Sequence, residues 1–286
     1  MSIILDNVSY IYGEGSGFIK QALKNINLTI DKNEFIGLIG HTGSGKSTLT
    51  QILNGLIKPT EGNVFFDGEN INEKGFNKRN LRFRVGLVFQ YPEHQLFEEN
   101  VLKDVCFGPL NMGMSKNEAE IRAKESLEMV GVGEEIFERS PFELSGGQKR
   151  RVAIAGVLAM RPDYMILDEP TAGLDPEGRD SILDMIKKMH EELETTIILV
   201  SHSMEDVAKY VDRILVMNQG ELMYDDVTKE IFSHYKELKK VGLSAPQITY
   251  IMNALQKKGF NVDVTATTVK EGCDSILNAI RAKDGK

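Results

Sequence analysis

The tightest constraint on this chain lies at residues 35–47. Phe35-Ile36-Gly37-Leu38-Ile39 is an apolar run of strand length, and it enters Gly40-His41-Thr42-Gly43-Ser44-Gly45-Lys46-Ser47 directly. The octet has the spacing glycine, four residues, glycine, lysine, serine. Its glycines allow a tight curl in which successive amides point at one anion, and the helix that follows offers its unpaired N–H groups and positive end to the same place. A buried strand, a glycine-rich turn and a helix predicted from Ser47 to about Leu56 therefore form one unit. Lys46 can reach phosphate oxygens as a point charge, the Ser47 hydroxyl can ligate Mg2+, and Thr48 continues the helix beside them. This pattern alone implies a P-loop nucleotide-binding core, which GTPases, kinases and ATPases share.

Apolar runs at 2–12, 22–35, 63–68, 85–90, 164–168 and 196–200 read as further strands, and residues 213–226 as a hairpin around Asn218-Gln219-Gly220. The segment 13–17 reads as a glycine-rich loop. Helices are predicted over 96–131, with a capping box from Ser115 to Glu118, and over 147–160 and 177–193. Strands alternating with helices predict an α/β fold with a mostly parallel sheet. To this core are added an antiparallel β subdomain at the N-terminus, a helical insertion at about 91–160 and a small C-terminal extension. The expected division is an ATPase domain at 1–227 and an extension at 228–286 that serves as a dimer contact. Within the extension, 228–242 and 246–259 read as helical and the tail from 261 carries little pattern.

Composition narrows the function classes. The 286 residues hold 34 basic and 42 acidic side chains, a net charge of −8. Duplex binding rests on Lys and Arg neutralising phosphates, so a nucleic-acid partner is not expected. Cys106 and Cys273 lie far apart, with no metal-ligand spacing around either. No run approaches the ~20 apolar residues that cross a bilayer, and MSIILDNVSY has no basic leader before its short apolar stretch. The chain is expected to be cytosolic and to meet a membrane only through a partner.

Asp168-Glu169 closes the run Tyr164-Met165-Ile166-Leu167. An acid at the end of a buried strand beside a phosphate loop is placed to hold Mg2+, and the next carboxylate to polarise an attacking water. Two acids after a strand are otherwise an ordinary loop feature. Lys46 in the same chain, in the expected order, favours the catalytic reading.

At this point the sequence resembles an ABC transporter ATPase over about residues 2–226. Leu144-Ser145-Gly146-Gly147-Gln148 matches the family's LSGGQ signature, and Asp168 to Asp175 resembles its Walker B motif and D-loop. The resemblance implies a Q-loop role for Gln90, including a place in the Mg2+ shell, a switch role for His202 and adenine stacking for Tyr12. An ordinary strand aromatic is the competing reading of Tyr12. The resemblance also implies that Ser145, Gly146, Gly147 and Gln148 cap ATP held by a second ATPase subunit. With one phosphate loop and one signature per chain, two chains, identical or paralogous, complete two sites.

Tyr91-Pro92-Glu93-His94-Gln95-Leu96-Phe97 follows Gln90 directly. This segment and residues 100–113 resemble the ATPases of energy-coupling factor (ECF) transporters, the cobalt and vitamin importers. The extended stretch from Gly13 to Leu28 resembles the second of their two paralogues. The resemblance implies a transmembrane coupling subunit touched through about Tyr91–Phe97, an indirectly linked substrate-binding membrane subunit, and a peripheral place on the cytoplasmic face of the membrane. The alternatives are the ATPase of another ABC importer or a soluble ABC-type ATPase. DNA-repair members of that last class need a long coiled coil between phosphate loop and signature. The interval from Ser47 to Ser145 is too short for one. A GTPase is disfavoured because Asn77-Lys78-Arg79-Asn80 is not a guanine-reading motif.

Overall fold

The computed structural model describes residues 2–13 and 19–284. From residue 14 onward, the loop expected at 13–17 lies outside them. The described residues build two sheets. The first is antiparallel, ordered β2 (Lys20–Asp31), β1 (Ser2–Tyr12), β4 (Glu61–Phe66) and β5 (Glu69–Asn70). The second is ordered β10 (Glu221–Val227), β9 (Arg213–Asn218), β3 (Phe35–Ile39), β8 (Thr196–Val200), β7 (Tyr164–Asp168) and β6 (Val85–Val88). Five of its strands run parallel, and β10 closes one edge as an antiparallel hairpin partner of β9.

Residues of β3, β7 and β8 are almost all buried because both sheet faces are covered. The period of two divides them between two cores. Ile36, Leu38, Ile166 and Ile198 pack with Ile3, Leu5 and Val64 of the antiparallel sheet and with Leu49 and Ile52 of α1 (Lys46–Leu53). Phe35, Ile39, Leu167 and Leu199 face the opposite way, toward helices. Those helices are α3 (Val101–Asn111), α4 (Lys116–Met129), α5 (Gly146–Leu158), α6 (Pro176–Leu193) and α7 (Met204–Tyr210). Gly37 lets α7 approach β3, since a methyl there would lie 3.0 Å from Val207 Cγ1.

The expected boundaries shift for local reasons. The strand expected at 22–35 ends as β2 at Asp31, because the chain turns at Asn33, whose φ is +60°, before β3 begins at Phe35. The strand expected at 85–90 ends at Val88, after which Phe89 and Gln90 leave the sheet and are exposed. The first helix stops at Leu53, ahead of Gly55 with φ +69°. The capping box at Ser115 and Glu118 forms, with each residue bonded to the other's backbone. Two short helices escaped the sequence reading, α2 (Lys78–Arg84) and α7, each only seven residues long.

Beyond β10 come α8 (Thr228–Ser233), α9 (Tyr235–Lys240) and α10 (Gln247–Lys257). Ile231, Phe232, Leu238 and Leu243 belong to the main helical-side core, whereas Ile248, Met252, Val262 and Ala266 make a small cluster of their own. The tail that reads as poorly patterned is a correction: α11 spans Val269–Asp284. Its Leu277 and Ile280 stay exposed while Ile276 and Ala279 pack on the small cluster, which blurs the contrast between its faces.

Candidate nucleotide site

The candidate residues gather where the parallel strands end. β3 runs into Gly40, β6 leads to Gln90, β7 ends at Asp168 and β8 leads through Ser201 to His202. In an open parallel sheet, ligands bind at this carboxyl edge. A cavity of about 340 Å³ opens there, lined by Thr42, Gly43, Gly45, Lys46, Ser47, Thr48, Gln90, Asp168, Glu169 and His202, with Tyr12, Lys20 and Ala22 at its side.

The loop itself is held by backbone. Ser44 N donates to His41 O at 3.1 Å, and Gly220 N of the β9–β10 turn donates to Ser44 O at 2.9 Å. The His41 ring reaches Asn218 Oδ1 at 3.2 Å, so this side chain fastens the loop to the hairpin. Gly45 sits at φ +109°, and a methyl there would lie 2.6 Å from Ala22 O. Only glycine satisfies both conditions. Gly40 is equally enclosed, by Met217 O and Ser44 Oγ, whereas a methyl on Gly43 would meet nothing within 4 Å. The bare backbone at Gly43 therefore borders open space.

Charge concentrates in this cavity. Lys46 is buried, and its ammonium donates to Gly40 O at 2.6 Å and His41 O at 3.3 Å. Burial pushes its pKa down, against the pull of Glu169 and Asp168. Burial likewise pushes Asp168 up, opposed by Lys46 and by a hydrogen bond from Ser47. Glu169 is pushed up to about 7, first by burial and then by the neighbouring Asp168. Its side chain is 14% exposed, its Oε1 lies 3.4 Å from His202 Nε2, and that oxygen has no hydrogen-bond partner. Its backbone sits at φ +51°, a conformation disfavoured for a residue with a side chain and commonest where function requires it. Burial, with Lys46, pushes His202 below its ordinary value. Ser44 Oγ is also buried and without a partner. Ser44 does not line the cavity, whereas Glu169 does, and its open oxygen fits a site that receives a group the chain does not itself supply.

Tyr12 stands at the rim, 42% exposed, with its hydroxyl 3.2 Å from Thr48 Oγ1. The signature residues stand elsewhere. Ser145 caps α5 by accepting from Gln148 N, while Gln148 Oε1 accepts from Ser145 N, a second capping box. Ser145, Gly146 and Gln148 are exposed, and none of the four lines the cavity. Within one chain the two anion-binding helix ends are separate.

The sequence reading missed two residues. Arg150, buried two residues past Gln148, pairs with Glu93 and donates to Pro170 O and Ala172 O. Asp206 on α7 is buried 4.0 Å from Arg179 Nε, and it helps raise Glu169. A charged residue on an apolar helix face was the available signal for Arg150. For Asp206, one turn into a short helix, there was none.

A family model described as ABC transporter matches residues 23–172. The chain belongs to the ABC transporter family. It is 53% identical over 282 residues to the energy-coupling factor transporter ATP-binding protein EcfA2 of Clostridium perfringens, covering 98% of this chain and 99% of that protein. It is 52% identical over 281 residues to the protein of the same name from Caldanaerobacter subterraneus, covering 98% of each. Among solved structures, cbiO1 of Clostridium perfringens, part of the ABC transporter complex cbiONQ, superposes with a TM-score of 0.74 at 39% identity, over 88% of this chain and 98% of that one. The dimeric ATP-binding cassette MJ0796 with ADP and phosphate superposes with a TM-score of 0.69 at 34% identity, over 79% and 98%. This chain is thus an ABC-type ATPase similar throughout its length to ECF transporter ATP-binding subunits.

Proposed function

We propose that this chain is one half of a nucleotide-sandwich dimer that hydrolyses ATP to power an ECF-type importer of a vitamin or transition-metal ion. The carrying observation is the separation of the half-sites. The cavity holds Lys46, Asp168, Glu169, Gln90 and His202, while Ser145–Gln148 presents its helix end to solvent. A second subunit, identical or paralogous, would bring its own signature to this cavity and receive this chain's signature in exchange. The dimeric form of the related cassette MJ0796 supports this reading.

The phosphates would lie against the backbone of Gly40–Gly45 and the end of α1, with Lys46 on the outer phosphates and Thr48 close by. Tyr12 would stack on adenine. Hydroxyl and carboxylate oxygens at Ser47 and Asp168, with the Gln90 amide oxygen, suit the hard cation Mg2+. Bound there, it would neutralise charge on the β- and γ-phosphates. Glu169, poised near neutrality, would accept the proton of the attacking water. His202, 3.4 Å from it, would orient water and γ-phosphate.

The division into an ATPase domain at 1–227, with its helical insertion at 91–160, and an extension at 228–286 acting as a dimer contact is part of this proposal. Burial of Ile231 and Phe232 in the main core ties the extension to the ATPase unit. Tyr91 to Phe97 would meet the transmembrane coupling subunit, and through it the substrate-binding subunit. In support, Phe97 is 58% exposed and stands edge-on to the exposed Phe107 at 5.0 Å. No described helix is long and apolar enough to cross a membrane. The chain would be peripheral, on the cytoplasmic face, with no nucleic-acid partner.

The test is Glu169→Gln. With ATP and the partner ATPase, it should bind nucleotide, stop turning over, and elute as a stable dimer from a sizing column. A variant that stays monomeric and hydrolyses normally would refute the mechanism.

A further inference from the structure

Arg150 is the one arginine of the signature helix that solvent barely touches, its side chain being 3% exposed. An isolated buried guanidinium is costly, so its partners matter. Four of its N–H bonds are accounted for. Nε and Nη2 grip the two Glu93 carboxylate oxygens at 3.2 and 2.9 Å, and Nη1 donates to Pro170 O at 3.1 Å and Ala172 O at 2.8 Å. Burial alone would raise the Glu93 carboxyl, yet Arg150 holds it below its ordinary value. The planar fork suits this set. A lysine has the charge but not two parallel donors plus a third directed at carbonyls.

The three segments joined are functionally distinct. Arg150 rides on α5, whose first turn is the signature. Glu93 lies within the 91–97 segment. Pro170 directly follows Glu169, and Ala172, three residues past Glu169, donates its N–H to Glu169 O at 3.1 Å. We infer that Arg150 is a positioning residue that locks the signature helix, the carboxylate segment and the 91–97 segment into one mechanical unit. This rests on the sandwich reading above and deepens it. When the partner's nucleotide seats on Ser145–Gln148, α5 is fixed. Through one guanidinium that placement sets the backbone behind this chain's own Glu169 and the face offered to the membrane subunit. None of the three segments can shift alone without leaving a charge or a carbonyl buried and unpaired. Coupling of this kind needs two states biased from both ends, which is what the experiment examines.

A bimane label at Gln95→Cys reports the segment, with the exposed Cys273 replaced by serine. The assembled ATPase pair, carrying Glu169→Gln, is given ATP and the label's change is recorded. The same pair with Glu169 restored gives kcat and KM. With Arg150→Lys, the label's response to ATP should fall about fivefold or more, and kcat about tenfold with KM for ATP changed by less than about threefold. Glu93→Gln, a variant of nearly the same shape, should blunt the label's response by about threefold and lower kcat less than Arg150→Lys does. A full response in both variants, or a raised KM with unchanged kcat, overturns the proposal. A parent pair whose label ignores ATP overturns the sandwich reading with it, whereas a responsive parent with responsive variants sinks only the role of Arg150.

Discussion

Replacing Glu169 by glutamine should stabilise the nucleotide-free protein, and only on the alkaline side. The Glu169 carboxyl is pushed from its ordinary 4.5 to about 7 by burial and by Asp168. A raised carboxyl holds its proton in the folded state after the unfolded chain has lost it. Folding is thus not penalised at or below pH 4.5, loses stability as pH climbs from 4.5 to 7, and carries the whole loss above 7. A shift of about 2.5 units corresponds to about 3.4 kcal/mol. The carboxylate borders an open cavity, so screening reduces this to roughly 1.5–2 kcal/mol. Glutamine keeps the shape and lacks the charge. At a few degrees per kcal/mol for a chain of this size, Glu169→Gln should melt roughly 3–6 °C higher than the parent at pH 8.5. At pH 5, only half a unit above the unfolded carboxyl's 4.5, the gain should shrink to less than about half of that. Thermal melts without nucleotide or divalent cation, at both pH values, measure this directly. Equal melting at pH 8.5, or the same gain at both pH values, would show that Glu169 carries no strained charge, and the argument for its poise as a base would go.

Three further outcomes follow from local geometry. Gly45→Ala places a methyl 2.6 Å from Ala22 O at φ +109°. It should cost at least about 3 kcal/mol and abolish binding of a fluorescent ATP analogue, and parental affinity would contradict the loop geometry. Ser145→Ala removes the α5 capping box, so stability should fall by about 1 kcal/mol in urea titrations. In the Glu169→Gln background it should also prevent the ATP-dependent dimer on a sizing column. Ser115→Ala removes the equivalent box on α4, far from the cavity. It should cost the same ~1 kcal/mol with ATP turnover within about twofold of the parent, which separates the loss of a cap from the loss of a ligand.

What the sequence alone determined is what adjacency determines. The phosphate loop is eight consecutive residues whose spacing is its geometry, and Asp168-Glu169 follows a strand that could only be central. The signature carries its own capping box, from Ser145 to Gln148. The parallel core was legible because β3, β7 and β8 are apolar on both faces. Tertiary structure decided the rest. That Gln90 and His202 enter one cavity with Lys46 follows from the strand order, since their strands are far apart in the chain. That the signature points away from that cavity cannot be read from its five letters. Arg150 and Glu93 are 57 positions apart and become partners only once α5 packs against β6 and the turn at Pro92–Gln95. The helix at Val269–Asp284 escaped because its apolar face packs on a small cluster that itself exists only after α10 is in place. Motifs that opened the reading are local, and so is their physics. The unit they act in is held by contacts that sequence separation conceals, and the separate half-sites of this ABC-type ATPase, which the sequence implied by resemblance alone, take their geometry from the folded chain.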